Sequence, residues 1–273
     1  MFRELLVNTF MGRIGCDLRE TMHLHRAVHG RLEWLGCISN DAIAHQLLKT
    51  LCREGKIFID VGCHIGSVMA RVSRNGRLCR ILAVEAVPEK ARLLRKRFPG
   101  VKVHACAVGD HEGDAEFAIH LARSGYSSLD TTRKARHGTT RTITVKLTTL
   151  DRIMPHDDVD LVKIDVEGAE LGVLRGAEAL TAASRPVYLF ESGPEEMPGF
   201  PHGALWQWFE DHDYDLLLPN RMAHLGQGMS LEVFMDSHVY PRRAINYFGV
   251  PRERRAHVRE RARQALNHVH SEA

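Results

Sequence analysis

Two segments of the chain, about a hundred residues apart, each run from an apolar strand into acidic residues and glycine. The first, from Ile57, reads IFIDVGCHIGS, and the second, from Leu161, reads LVKIDVEGAE. Short apolar runs of this kind predict buried strands of a parallel sheet. In an open α/β sheet, ligands bind just beyond the carboxyl ends of the strands. We therefore expect the two segments to form two walls of one binding site.

The first segment predicts a strand, a tight turn and a helix. Asp60 ends the strand, and Gly62 and Gly66 flank a turn in which the backbone can bend sharply and approach a ligand closely. Free N–H groups at the start of the following helix favour an anionic or carboxylate-bearing ligand. A second strand ends at Glu85, whose carboxylate can accept both hydroxyls of a ribose. The pattern indicates a nucleoside cofactor.

The glycine spacing restricts which nucleoside cofactor fits. A dinucleotide fingerprint needs glycine at the first, third and sixth positions, but His64 and Ser67 occupy the third and sixth positions counted from Gly62. The Gly-Lys-Ser/Thr triplet of a phosphate-binding loop is absent from the sequence. The remaining pattern, Asp-x-Gly-x-x-x-Gly followed by Glu85, resembles the cofactor loop of S-adenosylmethionine (SAM) dependent methyltransferases. The alternative is an ordinary strand–turn–helix whose glycines serve only packing.

Four further motifs follow in order along the chain. They are AVGD at 107–110, SGYSSL at 124–129, TTLD at 148–151 and KIDVEGAE at 163–170. Together with the first segment they resemble the FkbM family of methyltransferases, over roughly residues 55–195. The family usually has Ala-Asn in the first motif where this chain has Cys63-His64.

The resemblance implies a SAM-dependent O-methyltransferase that acts on a hydroxyl of a sugar, glycan or natural product. It places the cofactor at Asp60, Gly62, His64, Gly66, Glu85, Val108 and Asp110. It places the substrate at Ser127, Ser128 and Glu167. The alternatives are a plain turn at Asp110 and a solvated surface loop at 124–129.

The carboxylates that follow the later strands are the candidates for catalysis. An alcohol is a poor nucleophile at neutral pH, so a base must accept its proton as the bond to the methyl group forms. In methyltransferases of this class the fourth strand points toward the reacting methyl, which makes Asp165 the first candidate and Glu191 the second. Glu167 and Glu170 have an alternative role, because acidic residues stabilise helix N-termini.

The order of predicted elements indicates an α/β fold with a doubly wound, mostly parallel Rossmann-like sheet. Its strands are expected at 57–61, 80–84, 101–107, 159–164 and 186–190. Helices are expected at 41–53, from 66, at 89–98, 168–183 and 202–212. Residues 114–120 and 141–147 look extended, and strands 214–218 and 231–235 are expected to pair at the sheet edge.

These elements suggest three parts. Residues 1–54 form a helical N-terminal extension, in which Asp41 is the expected helix N-cap; 55–250 form the methyltransferase domain; and 251–273 form a basic C-terminal helix. One side of that helix carries Val258, Ala262, Ala265 or Leu266, and Val269. It fits docking on a partner subunit, weak contact with an anionic membrane surface, or a solvated terminal helix.

Composition excludes several other classes. The 273 residues are 44% hydrophobic and 26% charged, as in soluble globular proteins. The net charge of +3 equals that of residues 251–273 alone, which hold six Arg and three Glu, so a neutral body argues against an extended nucleic-acid surface. The apolar run at residues 5–7 is too short for a signal peptide or a membrane span.

Cysteine and histidine spacing gives no metal motif. The six cysteines form no Cys-x-x-Cys pair, and we expect no histidines to form the His-x-x-x-His or Glu-flanked pattern of a metal site on a helix. We therefore expect reduced thiols, no metal and a cytoplasmic protein. Two other functions remain open at this point: an RNA methyltransferase anchored by the basic tail, and a non-catalytic SAM-binding interaction protein.

Overall fold

A computed structural model of the chain describes residues 21–73, 79–120, 140–193 and 201–267. The helices of these residues are 21–30 (α1), Leu35–Leu51 (α2), Ser67–Ser73 (α3), Pro88–Arg97 (α4), Leu150–Ile153 (α5), Glu170–Arg175 (α6), Glu178–Ser184 (α7), His202–Asp211 (α8), Leu231–Ser237 (α9) and Arg255–Asn267 (α10). The strands are Ile57–Val61 (β1), Arg80–Val84 (β2), Lys102–His104 (β3), Ala107–Val108 (β4), Gly113–His120 (β5), Thr140–Thr148 (β6), Val159–Ile164 (β7), Val187–Glu191 (β8), Tyr214–Leu217 (β9) and Asn246–Pro251 (β10). Among the described helices, none combines the length and the apolar character needed to cross a membrane.

Seven strands form the main sheet, in the order β3-β2-β1-β7-β8-β10-β9. The strands from β3 to β8 pair in parallel, and β10 is antiparallel to both of its neighbours. The chain order runs outward from the centre in both directions, so the carboxyl ends of β1 and β7 meet at a topological switch point. Open α/β sheets bind their ligands at such a point. The predicted doubly wound, mostly parallel Rossmann-like sheet is confirmed.

Strand β1 lies at the centre of this sheet, and all five of its residues are buried. Phe58 packs in an apolar cluster that includes residues of α2 and α10. Ile57 and Ile59 point the other way, into a cluster that includes residues of α6, α7 and α8. A strand covered by helices on both faces is mostly apolar, which is why four of its five residues are hydrophobic and only Asp60 is charged.

A second sheet of three strands, in the order β4-β6-β5, lies beside the main one. The single strand predicted at 101–107 is in fact two, because β3 belongs to the main sheet and β4 to the small one. The small sheet has its own apolar cluster, which includes Phe117 and Val145. Val87, just after Glu85, joins this cluster, so the small sheet packs against the loop that follows β2.

Two helix predictions differ from the structure. Helix α2 begins at Leu35, so Asp41 lies inside it instead of capping it, and the Asp41 carboxylate accepts a hydrogen bond from Asn246 at 3.0 Å. The helix predicted at 168–183 is divided at Gly176 into α6 and α7. A Cβ at Gly176 would lie 2.0 Å from the carbonyl oxygen of Gly109, so the break lets two backbone segments pack closely.

The strand predicted at 231–235 was wrong, because these residues lie in helix α9. Ser230 caps that helix, with its side chain accepting a hydrogen bond from the N–H of Val233 at 3.3 Å. The edge partner of β9 is instead β10, which the sequence analysis missed. Gly249 interrupts the apolar pattern of β10, and a Cβ there would lie 2.4 Å from the ring of Phe209.

The basic C-terminal helix α10 docks on the chain's own body. Val258, Ala262 and Ala265 are buried in the same apolar cluster as α2. Of the three alternatives, docking therefore agrees with the structure, although the surface covered belongs to the same chain and not to a partner. Val269 lies outside the described residues.

A buried ion cluster ties both helical flanks to the sheet. Asp160, in β7, is 1% exposed and accepts hydrogen bonds from the N–H and guanidinium of Arg53, with Nη2 at 2.7 Å. The guanidinium of Arg254, just before α10, contacts the same carboxylate. Burial alone would raise the pKa of Asp160, but the bonds from Arg53 and the charge of Arg254 lower it overall.

Replacing Asp160 should test this cluster. Asp160→Asn leaves two arginines without their shared anion. Because Arg53 is 43% exposed and water can solvate it, we expect a loss of about 1.5–3 kcal/mol of unfolding free energy, the range for a lost hydrogen bond to a charged group. Because the pKa of Asp160 is lowered, its contribution is present above the unfolded pKa of about 3.9 and is lost as pH falls through the folded value. Urea unfolding at pH 7 and at pH 3 measures both effects.

The matched control is Asp158→Asn, two residues away. Asp158 is exposed and pairs with Lys56 on the surface, where ion pairs contribute little. Its backbone has a φ of 65°, which asparagine tolerates well. Equal destabilisation by the two substitutions would contradict a special role for Asp160.

Candidate cofactor and catalytic site

An open cleft of about 770 Å³, solvent-filled space included, lies at the carboxyl ends of the central strands. It runs from the turn after β1, past the ends of β2 and β4, to the ends of β7 and β8. The residues that line it are Val61, Gly62, His64, Val84, Glu85, Ala86, Lys90, Cys106, Ala107, Val108, Phe117, Asp165, Val166, Glu167 and Glu191. The two segments singled out in the sequence therefore do form two walls of one site.

The glycine turn after β1 packs closely against the loop that follows β7. Gly62 has a φ of 76°, and a Cβ there would lie 1.9 Å from the carbonyl oxygen of Asp165. The turn and the loop after β7 can approach each other only because this residue has no side chain. Gly66 has a φ of 82°, and a Cβ there would meet the side chains of Phe98 and Leu94. Gly66 does not line the cleft, and its visible role is packing.

Cys63 and His64, where the sequence departs from the usual Ala-Asn, preserve the shape of this turn. The thiol of Cys63 is buried and donates to the carbonyl oxygen of Val84 at 3.2 Å. His64 has a φ of 49°, in the left-handed region where both asparagine and histidine are enriched. Its backbone N–H donates to Oε2 of Glu85 at 2.8 Å. The departure therefore leaves the backbone geometry of the loop intact.

Glu85 is held rigidly at the edge of the cleft. Its Oε2 accepts from His64 and its Oε1 accepts from the N–H of Val87 at 2.9 Å. Burial raises the pKa of this carboxyl, and the two backbone bonds and Lys90 oppose that rise. Each oxygen retains acceptor capacity beyond its one bond, so the carboxylate can also accept hydroxyls from a ligand in the cleft.

An apolar wall lies next to Glu85. Ala107 and Val108, from β4, face the cleft together with Phe117 from β5. Such a wall suits a flat aromatic ring, because it removes apolar surface from water. Asp110 is exposed, is not part of the lining, and its carboxylate lies 2.7 Å from the ring nitrogen Nδ1 of His111.

Lys163 supplies a positive charge between two carboxylates at the other end of the cleft, near the ends of β1 and β7. It is the register partner of Asp60, and its Nζ lies 3.4 Å from Oδ1 of Asp60 and 3.0 Å from Oδ2 of Asp165. Burial lowers the pKa of Lys163, but the two carboxylates raise it more, so the ammonium stays charged. Asp60 is 0% exposed and lies beneath the cleft, and neither of its oxygens accepts a well-aligned hydrogen bond from the described residues.

Carboxylates converge where β7 and β8 end. Asp165, Glu167 and Glu191 each offer an oxygen within 4.8 Å of the other two. Burial, followed by the charges of Asp165, Glu167 and Glu170, raises the pKa of Glu191 well above its ordinary value. Glu170 itself accepts from the backbone N–H groups of Val166 and Gly168, and burial raises its pKa to about 7. Glu170 thus organises the loop at the start of α6.

Several features of this site were not predicted. Asp165 and Glu191 were both candidates, but the meeting of their carboxylates with Glu167 at a spacing that a metal ion can accept was not expected. The expectation that no histidines form a His-x-x-x-His pair was wrong, because His25 and His29 in α1 have this spacing and their rings lie 4.3 Å apart. The predicted substrate residues Ser127 and Ser128 lie outside the described residues.

The sequence also did not reveal that Lys163 and Phe117 belong to the site. Period-two alternation along β7 places Lys163 on the same side as Asp165, but it does not show that Lys163 lies between two carboxylates. Phe117 lies in a strand of the second sheet where burial does not alternate, since Ala118 and Ile119 are buried as well, so the period-two pattern could not mark Phe117 as facing the cleft.

The methyltransferase FkbM domain model matches residues 60–216 of the sequence, which is more than half of the chain. The chain belongs to the FkbM methyltransferases. It is accordingly a SAM-dependent methyltransferase, and the predicted family and cofactor are confirmed. A search among curated proteins finds no match to the sequence.

Several solved methyltransferases resemble this FkbM methyltransferase. Precorrin-6y C5,15-methyltransferase from Geobacter metallireducens is 17% identical, with 65% of this chain and 73% of that chain covered and a TM-score of 0.38. Fibrillarin from Aeropyrum pernix, with natively bound SAM, is 14% identical, with coverages of 77% and 74% and a TM-score of 0.39. Geranyl diphosphate methyltransferase, in complex with SAM, is 11% identical, with coverages of 86% and 88% and a TM-score of 0.42.

The residues of the cleft fit SAM in this FkbM methyltransferase. The Glu85 carboxylate suits the ribose hydroxyls, and the wall that includes Val108 and Phe117 suits the adenine. Three carboxylates against one lysine at the other end favour the positively charged sulfonium and ammonium groups. Asp60 supports this end from below through Lys163.

Glu85→Ala should test the cofactor assignment. On this assignment, removing the carboxylate takes away the acceptor for the ribose hydroxyls. We expect SAM affinity to fall by roughly 10-fold to 100-fold, the equivalent of about one hydrogen bond to a charged group. Isothermal titration calorimetry measures the affinity, and thermal unfolding checks the fold. Glu89→Ala, on the exposed start of α4, is the control and should leave affinity unchanged. Equal affinity of the Glu85 variant and the parent protein would remove this assignment.

Proposed function

We propose that this methyltransferase transfers the methyl group of SAM to a hydroxyl of a sugar, glycan or natural product, with Glu191 as the base. The observation that carries the proposal is the half-buried carboxylate of Glu191 on the wall of the SAM cleft, beside Asp165 and Glu167. Loss of solvation and the neighbouring charges raise its pKa well above the ordinary value. When bound, SAM supplies an electrophilic methyl group on a sulfonium. The hydroxyl must lose its proton as its oxygen attacks that methyl.

A base works best when its pKa lies near the operating pH. Burial and three neighbouring carboxylates move Glu191 in that direction, because each of them disfavours the charged form. Glu191 thus combines two properties that O-methylation needs: a place on the cleft wall and a carboxylate with enhanced proton affinity.

Asp165 has a different environment. Its Oδ2 is bonded to the ammonium of Lys163 at 3.0 Å, so part of its acceptor capacity is already engaged. Its contacts favour a role in holding Lys163 and the loop after β7 over the role of first base that its strand position suggests. Glu167, which also lines the cleft, remains the proposed contact for the acceptor hydroxyls.

The contacts of the arginines in the C-terminal tail weaken the case for an RNA methyltransferase. Arg252 contacts the carboxylates of Glu210, Asp213 and Asp215, and Arg254 contacts Asp160. Others are engaged by the chain's own carbonyl groups: Arg255 donates to those of Met222 and His224, and Arg261 to that of Thr50. A phosphate backbone would have to compete with these contacts. Strongly salt-dependent binding of RNA would revive this alternative.

A non-catalytic SAM-binding protein is the other alternative. A screen of methyl glycosides, polyols and phenolic natural products with methyl-labelled SAM separates it from an enzyme, with methylated product read by mass. Product with a hydroxyl acceptor supports O-methylation. SAM binding without product on any member of the panel would favour the non-catalytic alternative.

Glu191→Gln should separate catalysis from binding. The amide keeps the size of the side chain but cannot take the proton, so we expect kcat to fall by at least about 100-fold while the Kd of SAM changes less than about threefold. Asp165→Asn, measured alongside, should lower kcat less than Glu191→Gln does. A larger loss in the Asp165 variant would transfer the role of base to that residue.

The pH profile gives an independent check of the base. Glu191 must be deprotonated to act, so kcat should rise with pH through its pKa. Because that pKa is raised, the midpoint should lie above the ordinary glutamate value of about 4.3, and Glu191→Gln should remove this limb of the profile. An unchanged limb in the variant would assign it to another group.

Metal removal tests whether the carboxylate cluster acts alone. We expect activity to survive treatment with EDTA, because Lys163 already supplies a positive charge beside Asp165. The spacing of Asp165, Glu167 and Glu191 makes the opposite result meaningful. Activity that is lost with EDTA and restored by Mg²⁺ would recast these three carboxylates as metal ligands.

A further inference from the structure

The residue directly after Glu191 is anchored by two hydrogen bonds to other elements. The backbone N–H of Ser192 donates to the carbonyl oxygen of Ile245 at 2.8 Å, which continues the β8–β10 pairing by one step. The Oγ of Ser192 lies 2.8 Å from Nε2 of His238, just after α9. Ser192 is 3% exposed and His238 is 8% exposed, so this contact is shielded from water. Neither residue lines the cleft.

The direction of the side-chain bond follows from the other ring nitrogen. Nδ1 of His238 lies 2.8 Å from the carbonyl oxygen of Phe234. A carbonyl oxygen can only accept, so Nδ1 carries a proton. In the neutral ring Nε2 is then an acceptor, and the Ser192 hydroxyl donates to it.

The imidazole itself has little freedom to move. It stacks against His202, at the start of α8, with ring centroids 4.0 Å apart. It also stacks against Tyr247, in β10, at 5.4 Å. The Tyr247 hydroxyl is in turn bonded to Oγ of Ser237 at 2.8 Å. Elements α8, α9 and β10 together fix the acceptor of the Ser192 bond.

We propose that Ser192 and His238 are positioning residues of the methyl-transfer site. Their hydrogen bond holds the peptide that follows Glu191, and so fixes the direction in which the Glu191 carboxylate enters the cleft. This inference rests on the proposed role of Glu191 as the base. Neither residue is catalytic, because neither touches the cleft.

Loss of this anchor should affect turnover more than binding. A misplacement of about 1 Å at a reacting group can lower the rate by about 100-fold. We therefore expect Ser192→Ala and His238→Leu to lower kcat by roughly 10-fold to 100-fold, while the Kd of SAM changes less than about twofold. His238→Gln should recover much of the activity, because its amide oxygen can reach the position of Nε2 and accept the Ser192 bond.

A double-mutant cycle separates positioning from general damage. If Ser192 acts through Glu191, then Ser192→Ala should lower kcat in the parent protein but cause no further loss in the Glu191→Gln background. The kinetics use labelled SAM and the best acceptor found among methyl glycosides, polyols and phenols. Equal losses from Ser192→Ala in both backgrounds would overturn the proposal.

A second readout needs no acceptor. The ¹³Cδ signal of Glu191 in glutamate-labelled protein, assigned by its absence in Glu191→Gln, reports the titration of this carboxyl. In Ser192→Ala the end of β8 is no longer anchored, so water should reach the Glu191 carboxyl. The midpoint of its titration should therefore be lower than in the parent protein. An identical midpoint, together with unchanged kcat, would show that the anchor does not act on Glu191.

The matched control is His212, whose ring also has a hydrogen-bond partner at each nitrogen, in this case a carbonyl oxygen and a carboxylate. Its Nδ1 lies 2.6 Å from the carbonyl oxygen of Trp208, and its Nε2 lies 2.7 Å from Oε2 of Glu178. His212→Leu should leave kcat unchanged, and a loss equal to that of His238→Leu would reduce the effect to stability. If His238→Leu does not fold, Ser192→Ala and His238→Gln decide the matter.

The outcomes for Glu191 and for Ser192 distinguish two kinds of failure. Full activity of Glu191→Gln would overturn both the proposed base and its anchor. Inactivity of Glu191→Gln with full activity of Ser192→Ala would leave the proposed function standing and overturn the anchor alone.

Discussion

The charge of Lys163 allows the two central strands to end in acids at the same place. Asp60 and Lys163 are register partners in β1 and β7, and Asp165 follows two residues later. Without a cation between them, the fully buried carboxylate of Asp60 and the half-buried carboxylate of Asp165 would repel each other, and Asp60 would have no charge to offset its lost solvation. With it, the turn at Gly62 can press against the backbone of Asp165, and the loops that form the cleft stay together. The acidic cluster beyond depends on this pair for its position.

Much of the fold could be read from the sequence because its signals are local. Strands buried on both faces, such as β1 and β7, are largely apolar in sequence, and a glycine turn follows each within a few residues. The exceptions are Asp60 in β1 and Asp160 and Lys163 in β7, each of which has an oppositely charged partner. Strand β10 escaped because its pattern is broken by Gly249, whose missing side chain makes room for the ring of Phe209, far away in the chain. Helix α9 escaped because its short run of alternating residues fits either period, and tertiary packing decides between them.

The site residues also could be predicted where the signal is local and could not where it depends on residues distant in the chain. Glu85 could be placed from sequence, since strand-end carboxylates keep a regular distance from the glycine turn. The raised proton affinity of Glu191 could not, because it arises from burial and from charges that come from the end of another strand. The roles of Gly66 and Asp110 also depend on neighbours: one packs beneath the cleft and the other pairs with His111 at the surface. Spacing shows which residues are close in the chain, whereas electrostatics depends on which residues are close in space.

The ion cluster at Asp160 bears on where the folding unit of this protein begins and ends along the chain. The family match begins inside β1 and ends inside β9, so it leaves out β10, which lies between β8 and β9 in the sheet. It also leaves out Arg53 and Arg254, which come from opposite ends of the chain and share one buried carboxylate. The matched segment therefore omits a strand and two cations on which the described fold depends. A protein shortened to residues 60–216 would leave β8 and β9 without the strand that joins them and Asp160 without its countercharges, so the folding unit extends beyond the family match on both sides.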